Sequence, residues 1–226
     1  MKFRRILFRF LFLILIILFL GYLLFPIYWA INTSLTPSKN LSKTPADYLP
    51  FPPDFNAFQR ILSNSIFKIS LLNSAIVAGS ATLLALFLGA LAACALGRFR
   101  FPGKRPILYI ILAMTMFPQI SIVGSLYEMI VNVGLYNTKF ALAASYLLTT
   151  LPFTIWILTS FFKSLPSELE EAAYVDGATP LQTFRFVLLP LAAPGIVTSG
   201  ILAFIHSWNE YLFAMTFTPP PPPPPP

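Results

Sequence analysis

Charged side chains and the usual catalytic side chains are scarce in this sequence. Only 10% of its 226 residues are charged, whereas soluble domains have about 25%. It has one cysteine, Cys94, and one histidine, His206, which excludes an internal disulfide and any cluster of cysteines or histidines around a metal. The pattern G-x-x-x-x-G-K-[ST] is absent and no recognisable nucleophile accompanies the histidine, so the sequence has no recognisable ATPase or hydrolase site.

Apolar side chains make up 57% of the chain, which is typical of a protein that crosses the membrane several times. Because backbone groups inside a bilayer must bond to each other, we expect an all-α fold of packed membrane helices. The net charge of +7 could indicate nucleic-acid binding. However, the basic residues flank the apolar stretches and form no separate domain, so membrane orientation explains them better and no nucleic acid is expected.

Five apolar stretches are long enough to cross a bilayer as helices. We predict spans at residues 10–31, 71–96, 107–126, 140–162 and 191–217 of a single domain, 1–218. The first is too long for a signal peptide and has no small-residue cleavage site. Basic residues precede the first span and follow the second, which predicts a cytoplasmic N-terminus. They are Lys2, Arg4, Arg5, Arg9, Arg98, Arg100, Lys104 and Arg105.

The long polar interruption at residues 163–190 is therefore predicted to lie in the cytoplasm. Ser167 with Glu170, and Thr179 with Gln182, each have the spacing of a capping box, so we expect two short helices. Gly177 can end the first helix in the left-handed conformation, and Pro180 suits the first turn of the second. Ala172 and Ala173 would form a patch of small residues that another protein surface could approach.

These same residues have the spacing of a known motif. Glu171-Ala172-Ala173, then Gly177, then Val187-Leu188-Leu189-Pro190 resembles the EAA loop of ABC importer permeases, E-A-A-x3-G-x9-I-x-L-P, with Val187 at the isoleucine position. The string from Glu171 to Gly195 resembles the maltose-type carbohydrate branch in particular. The alternative is an ordinary capped helix-turn-helix between membrane helices, which the structural context must decide.

The resemblance implies the type I permease fold and a function. In the family the loop is a coupling helix that docks on the ATPase, and the residues implied here are Glu170, Glu171, Ala172, Ala173, Asp176, Gly177, Ala178 and Pro190. It also implies a homologous second permease, two ATPase subunits that bind ATP and Mg, an extracytoplasmic solute-binding protein and a bacterial inner membrane with its lipid. This chain would bind no cofactor and would not be an enzyme. A short surface helix beginning at Asn56 is implied within the proline-rich connection 32–70, for which a plain connector is the alternative.

Uncharged polar groups inside the spans are candidates for a sugar pathway, because buried polar groups in a membrane usually face a cavity or another helix. We select five with aromatic faces among or beside them: Gln119, Tyr146, Thr149, Trp208 and Asn209. The alternative is that they join helices or lie at the outer interface. For Glu210 we expect the outer interface, and for His206 a hydrogen bond between helices.

The sequence ends in eight prolines, 219–226, a composition for which a polyproline II rod is expected and not a membrane helix. The maltose-type family continues with a sixth span here, so we expect a truncated C-terminus or placeholder residues. Two alternatives to an ATP-driven importer remain. One is a membrane scaffold or incomplete fragment that only recruits a cytoplasmic partner, which a test of ATPase stimulation by loaded binding protein would distinguish. The other is an ion-driven secondary transporter, which would need more ionisable residues within the spans.

Overall fold

The structure is a computed structural model that describes residues 2–218, and every regular element within those residues is a helix. This confirms the predicted all-α class. The predicted proline tail, 219–226, lies outside the described residues. The chain divides between Ser70 and Leu71 into two compact units, which are described in turn.

The first unit contains a long apolar helix and a proline-rich connection. Helix α1 (Lys2–Leu35) continues through Pro26 and is followed by a 3-10 turn (Ser38–Asn40) and helix α2 (Asn56–Ser63). The connection folds back on the end of α1, where the Asn32 side chain donates to the Asp47 carbonyl oxygen at 2.9 Å. The predicted start of a short helix at Asn56 is confirmed.

Helix α3 (Ser65–Arg98) begins at the end of the first unit, where the Asn64 carboxamide oxygen accepts from the Ile66 and Phe67 backbone N–H groups. The remaining elements belong to the second unit. They are α4 (Lys104–Thr115), α5 (Gln119–Asn132), α6 (Lys139–Ser164), α7 (Glu168–Val175), α8 (Pro180–Thr183), a π-helical segment (Phe184–Leu188), α9 (Leu189–Leu191), α10 (Ala193–Trp208) and α11 (Leu212–Phe217).

Small residues allow the second unit to pack closely. Ala81, Ala85 and Ala93 on α3 are completely buried, and a Cβ at Gly89 would lie 2.8 Å from Thr154 Cγ2 on α6. Where α10 crosses α6, a Cβ at Gly195 would overlap the Phe161 ring. Small residues at such crossings let membrane helices approach closely, which maximises packing between them.

Within residues 2–218, three helices are long and apolar enough to cross a membrane unbroken: Arg4–Leu35, Ser65–Arg98 and Lys139–Ser164. Two further candidates are bent pairs: α4 with α5, at 92°, and Pro180–Leu191 with α10, at 74°. The break between α4 and α5 falls at Pro118, as the sequence indicates, since proline removes a backbone donor and restricts the preceding residue.

The predicted span 191–217 is wrong as a single helix. Helix α10 ends at Trp208 and α11 begins at Leu212. The Glu210 carboxylate accepts from the Phe213 backbone N–H at 3.1 Å and from that of Ala214 at 3.4 Å. A carboxylate that starts a new helix in this way competes with continuation of the old one.

Candidate functional site

The segment with the EAA-like spacing begins with α7, and its first turn differs from the prediction. Ser167 has φ −70° and ψ −26°, and its side chain caps no backbone group, so the predicted capping box with Glu170 is wrong. An N-cap residue normally has extended backbone angles. The first turn still contains three carboxylates, Glu168, Glu170 and Glu171, which complement the helix dipole.

The end of α7 is a Schellman motif at Gly177, as the glycine predicts. Gly177 has φ +81°. The Ala178 N–H donates to the Ala173 carbonyl at 2.9 Å, and the Gly177 N–H donates to the Tyr174 carbonyl at 3.1 Å. These two bonds satisfy carbonyls that the helix end leaves without partners. The direction in which the chain leaves α7 is therefore fixed by Gly177.

The second predicted capping box is confirmed, and a wide helical turn follows it. The Thr179 side chain accepts from the Gln182 N–H, and the Gln182 side chain accepts from the Thr179 N–H. In the π-helical segment, the Leu189 N–H donates to the Phe184 carbonyl, five residues back. This wider turn directly precedes Pro190, whose ring and missing N–H disfavour a regular α-turn. Such π-turns are frequent at functional sites.

Arg98, the last residue of α3, holds α7 and the end of α6 together. Its Nε and Nη2 groups donate to the two carboxylate oxygens of Glu170 at 2.8 and 2.7 Å. Its Nη1 group donates to the carbonyls of Leu165 at 2.8 Å and Phe162 at 3.2 Å. The Arg98 side chain is only 9% exposed, and that of Glu170 is 16% exposed. One cation therefore neutralises Glu170 on α7 and satisfies carbonyls at the C-terminal end of α6.

The other predicted coupling residues separate into an exposed and a packed set. Ala173 is 9% exposed and packs within the chain, so the expected patch of two alanines is wrong and only Ala172 faces outward. Val175, just before the turn, is 87% exposed. The remaining exposed members are Glu171, Asp176, Gly177 and Pro190, and Ala178 is half-buried. The exposed surface of this segment therefore consists of acidic and small residues. Arg98 holds the helix in place through Glu170.

A second feature is a cavity of about 730 Å³ where the break between α4 and α5 meets the break between α10 and α11. The break after α4 contributes Met114, Thr115 and Phe117, and α5 contributes Gln119. The break after α10 contributes Asn209, Glu210 and Tyr211. The other lining residues are Thr149, Thr150, Phe153, Leu202, Ala203, Ile205, His206 and Leu212. Non-helical backbone at membrane depth is tolerated where it is buried in protein or lines a cavity.

The ionisable residues of this cavity are engaged in structural bonds. His206 Nε2 lies 3.2 Å from Thr149 Oγ1, so the expected hydrogen bond between helices is confirmed. The Glu210 carboxylate caps α11. The polar groups that remain are mostly amides and hydroxyls, with the Phe117 and Phe153 rings beside them. Such a lining suits an uncharged polyhydroxylated molecule, which presents hydroxyl groups and apolar ring faces.

The cavity brings together three of the five predicted pathway residues. Gln119, Thr149 and Asn209 line it. Tyr146 is instead 5% exposed in a core cluster, and its hydroxyl donates to the Glu210 carbonyl at 3.4 Å. Trp208 is 42% exposed and stacks on Phe204. The cavity's aromatic residues are Phe117, Phe153 and Tyr211, none of which was among the five predicted pathway residues.

Arg98 is the main residue that the sequence reasoning missed as a site component. Because Arg98 directly follows an apolar stretch, it was interpreted only as a basic residue at the membrane surface. Its partner, Glu170, lies 72 residues further along the chain. The sequence feature that could have indicated Arg98 is the cluster of acidic residues on α7, since such a cluster favours a cationic partner from elsewhere in the fold.

A family model described as "Binding-protein-dependent transport system inner membrane component" matches residues 60–222. The trehalose transport system permease protein SugB of Mycobacterium tuberculosis is 40% identical over 201 residues, which cover 89% of this chain and 73% of that protein. The trehalose/maltose transport system permease protein MalG of Thermococcus litoralis is 38% identical over 197 residues, 86% and 70% of the two chains. Among solved structures, a bacterial ABC transporter involved in the import of the acidic polysaccharide alginate has a chain that superposes with a TM-score of 0.82 at 26% identity. The match covers 95% of this chain and 75% of that one.

Proposed function

Because the chain belongs to the binding-protein-dependent transport system inner membrane components, we propose that it moves a sugar or related polyol through the inner membrane in an ATP-driven importer. The names of similar permeases refer to trehalose, maltose and diacetylchitobiose, which are all carbohydrates. The observation that carries the proposal is the convergence of two helix breaks on one cavity lined by amides, hydroxyls and aromatic rings.

The cavity forms this subunit's half of the pathway. Broken helices near the midplane are a common way for transporters to present backbone and side-chain groups to a solute. Gln119 begins α5 and Asn209 follows the end of α10, so each break places a side-chain amide at the cavity. A sugar that passes between the two subunits would exchange hydrogen bonds with water for bonds to these amides, beside Phe117 and Phe153.

The α7 surface transmits the work of the partner ATPase. Two ATPase subunits hydrolyse ATP with Mg, a homologous permease completes the pathway, and an extracytoplasmic binding protein delivers the solute. Closure of the ATPases pushes α7, whose exposed face includes Glu171, Ala172 and Gly177. The ion pair to Arg98 passes this motion to α3, and the chain through Pro190 passes it to α10. In this arrangement the N-terminus and α7 are both cytoplasmic, which agrees with the basic residues near each.

Replacing Asn209 or Gln119 with alanine is expected to weaken solute recognition in the pathway. Loss of one hydrogen bond to an uncharged group costs about 1 kcal/mol, so the KM for uptake should rise about fivefold for each. The measurement is uptake of radiolabelled trehalose and maltose by proteoliposomes that contain the assembled importer and its binding protein.

Thr198→Ala is the matched control for the cavity variants. Its hydroxyl bonds to the Pro194 carbonyl on α10, and the residue does not line the cavity. Uptake by this variant should equal that of the wild type. Unchanged uptake kinetics in both Asn209→Ala and Gln119→Ala would contradict the role of the cavity.

A further inference from the structure

A smaller cavity of about 270 Å³ lies between the first turns of α4 and the last two turns of α6. Arg105, Leu108 and Tyr109 line it from α4, at positions that share one face of a helix. The α6 side is formed by residues at the same kind of spacing: Trp156, Thr159, Ser160 and Lys163. The groove therefore has one charged end, at Arg105 and Lys163, and continues between two apolar helices.

The charged end carries two cations without a carboxylate to neutralise them. Within residues 2–218, neither Arg105 nor Lys163 takes part in a salt bridge. The carboxylates of α7 do not supply one: Glu170 pairs with Arg98, and Glu168 and Glu171 take part in no salt bridge within residues 2–218. The neighbouring Lys104 adds a third cation, whose amino group donates to the carbonyls of Gly97 and Phe99. Positive charge is thus concentrated here and uncompensated, which favours an anion as the occupant.

The rest of the groove suits a molecule with an apolar tail. Leu108 is buried at its base, while Trp156 and Tyr109 are 36% and 66% exposed. Tryptophan and tyrosine side chains are enriched at the level of lipid headgroups, where one end of the ring is apolar and the other is wet. Beyond Tyr109 on α4, Ile110 is 62% exposed. An inorganic anion would have no contact with these groups.

We propose that this groove binds the headgroup of an anionic phospholipid of the cytoplasmic leaflet, with the phosphate between Arg105 and Lys163 and the acyl region along Tyr109 and Trp156. The inference rests on the cytoplasmic placement of these helix ends in the proposed function. Basic grooves between membrane helices on the cytoplasmic side are suited to anionic headgroups. Lipid bound there would brace α4 against α6, next to the anchor of the coupling helix.

The test compares phosphatidylglycerol with phosphatidylcholine on the assembled importer in nanodiscs of stated composition. Bound lipid is counted by native mass spectrometry after mild delipidation. The double variant Arg105→Gln/Lys163→Gln should lose about one phosphatidylglycerol per copy of this chain, and its preference for that lipid at the site should fall about 30-fold. The control, Lys39→Gln/Lys68→Gln, removes the same charge from residues outside the groove and should retain the lipid.

Equal retention in the two double variants would overturn the proposal. Displacement of the site's phosphatidylglycerol by millimolar inorganic phosphate would also overturn it, since the groove would then be a soluble-anion site. Sugar uptake is measured in parallel with trehalose and maltose. If the groove variant loses lipid but the wild type takes up neither sugar, the proposed transport function is contradicted and the lipid site is not. The two results are separate because the lipid count does not depend on transport.

Discussion

Replacement of Arg98 by methionine is expected to reduce solute uptake at least tenfold while the chain remains inserted in the membrane. The substitution removes both bonds to the Glu170 carboxylate and those to the carbonyls at the end of α6. Breaking a buried ion pair by removing one partner costs about 3 kcal/mol or more. Here the lost free energy weakens the attachment of α7 to α3 and α6. The apolar helices themselves lose no contact within their spans.

Such a loosened α7 would still meet the ATPase but would transmit its motion poorly. We therefore expect Arg98→Met to uncouple the importer: ATPase activity would persist, and uptake per ATP hydrolysed would fall. The measurement is the ratio of sugar uptake to phosphate release in proteoliposomes of the assembled importer. Glu170→Gln should act in the same direction, since it leaves the guanidinium without its carboxylate.

The matched control for Glu170→Gln is Glu168→Gln, two residues earlier. Glu168 is exposed and lies in the same first turn of α7, but makes no salt bridge within residues 2–218. Its variant should keep the wild-type ratio of uptake to ATP hydrolysis. The double variant Arg98→Met/Glu170→Leu, which replaces both charges with apolar groups, should recover part of the lost coupling. Normal coupling in Arg98→Met would show that the pair has no role in transmission.

Gly177→Leu is the second substitution for which we expect a large effect, a loss of uptake of at least tenfold with normal membrane insertion. A leucine at φ +81° costs about 1–2 kcal/mol of backbone strain. A Cβ at this position meets nothing within 4 Å in the chain itself, so the side chain would project from the surface that we assign to the ATPase. The leucine side chain would therefore block contact with that subunit, in addition to straining the backbone at position 177.

Two comparison variants separate strain from contact. Gly134 also has a positive φ, +75°, and open space around its Cβ, but it lies in the connection between α5 and α6. Gly134→Leu suffers the same kind of strain and should leave uptake within about twofold of the wild type. Gly177→Asn keeps the left-handed conformation at lower cost but adds a side chain, so it should still impair uptake. Wild-type uptake in both Gly177 variants would exclude close contact at this turn.

The local patterns in the sequence predicted much of this fold because they act over a few residues. The capping box of Thr179 and Gln182 and the glycine stop at Gly177 are confirmed. The capping box predicted for Ser167 fails because Glu170 is bound by Arg98. A contact across 72 residues outweighed a local preference, and no pattern within the loop could reveal it.

The other differences between the predictions and the structure arose at residues whose position depends on tertiary packing as well as on local sequence. Apolar composition from residue 191 to 217 indicated one helix, but the Glu210 carboxylate begins a separate helix there. Ala173 was read from the motif as surface, yet only tertiary packing decides which of two adjacent alanines faces inward. The cavity residues Gln119 and Asn209 could be chosen by chemistry. Tyr146 and Trp208 have equally suitable chemistry but point to other parts of the fold.

The central claim, that α7 is the contact through which the ATPase drives this subunit, is tested most directly by crosslinking. Single cysteines are introduced at Ala172 and at Ala173 after the buried Cys94 is changed to alanine. The assembled importer is then treated with a short crosslinker in the presence and absence of ATP. Ala172 is exposed and Ala173 is buried. We expect a crosslink to the ATPase from position 172, with a yield that changes with ATP, and little from position 173. No crosslink from position 172 in an inserted and assembled importer, or equal yields from both positions, would contradict it.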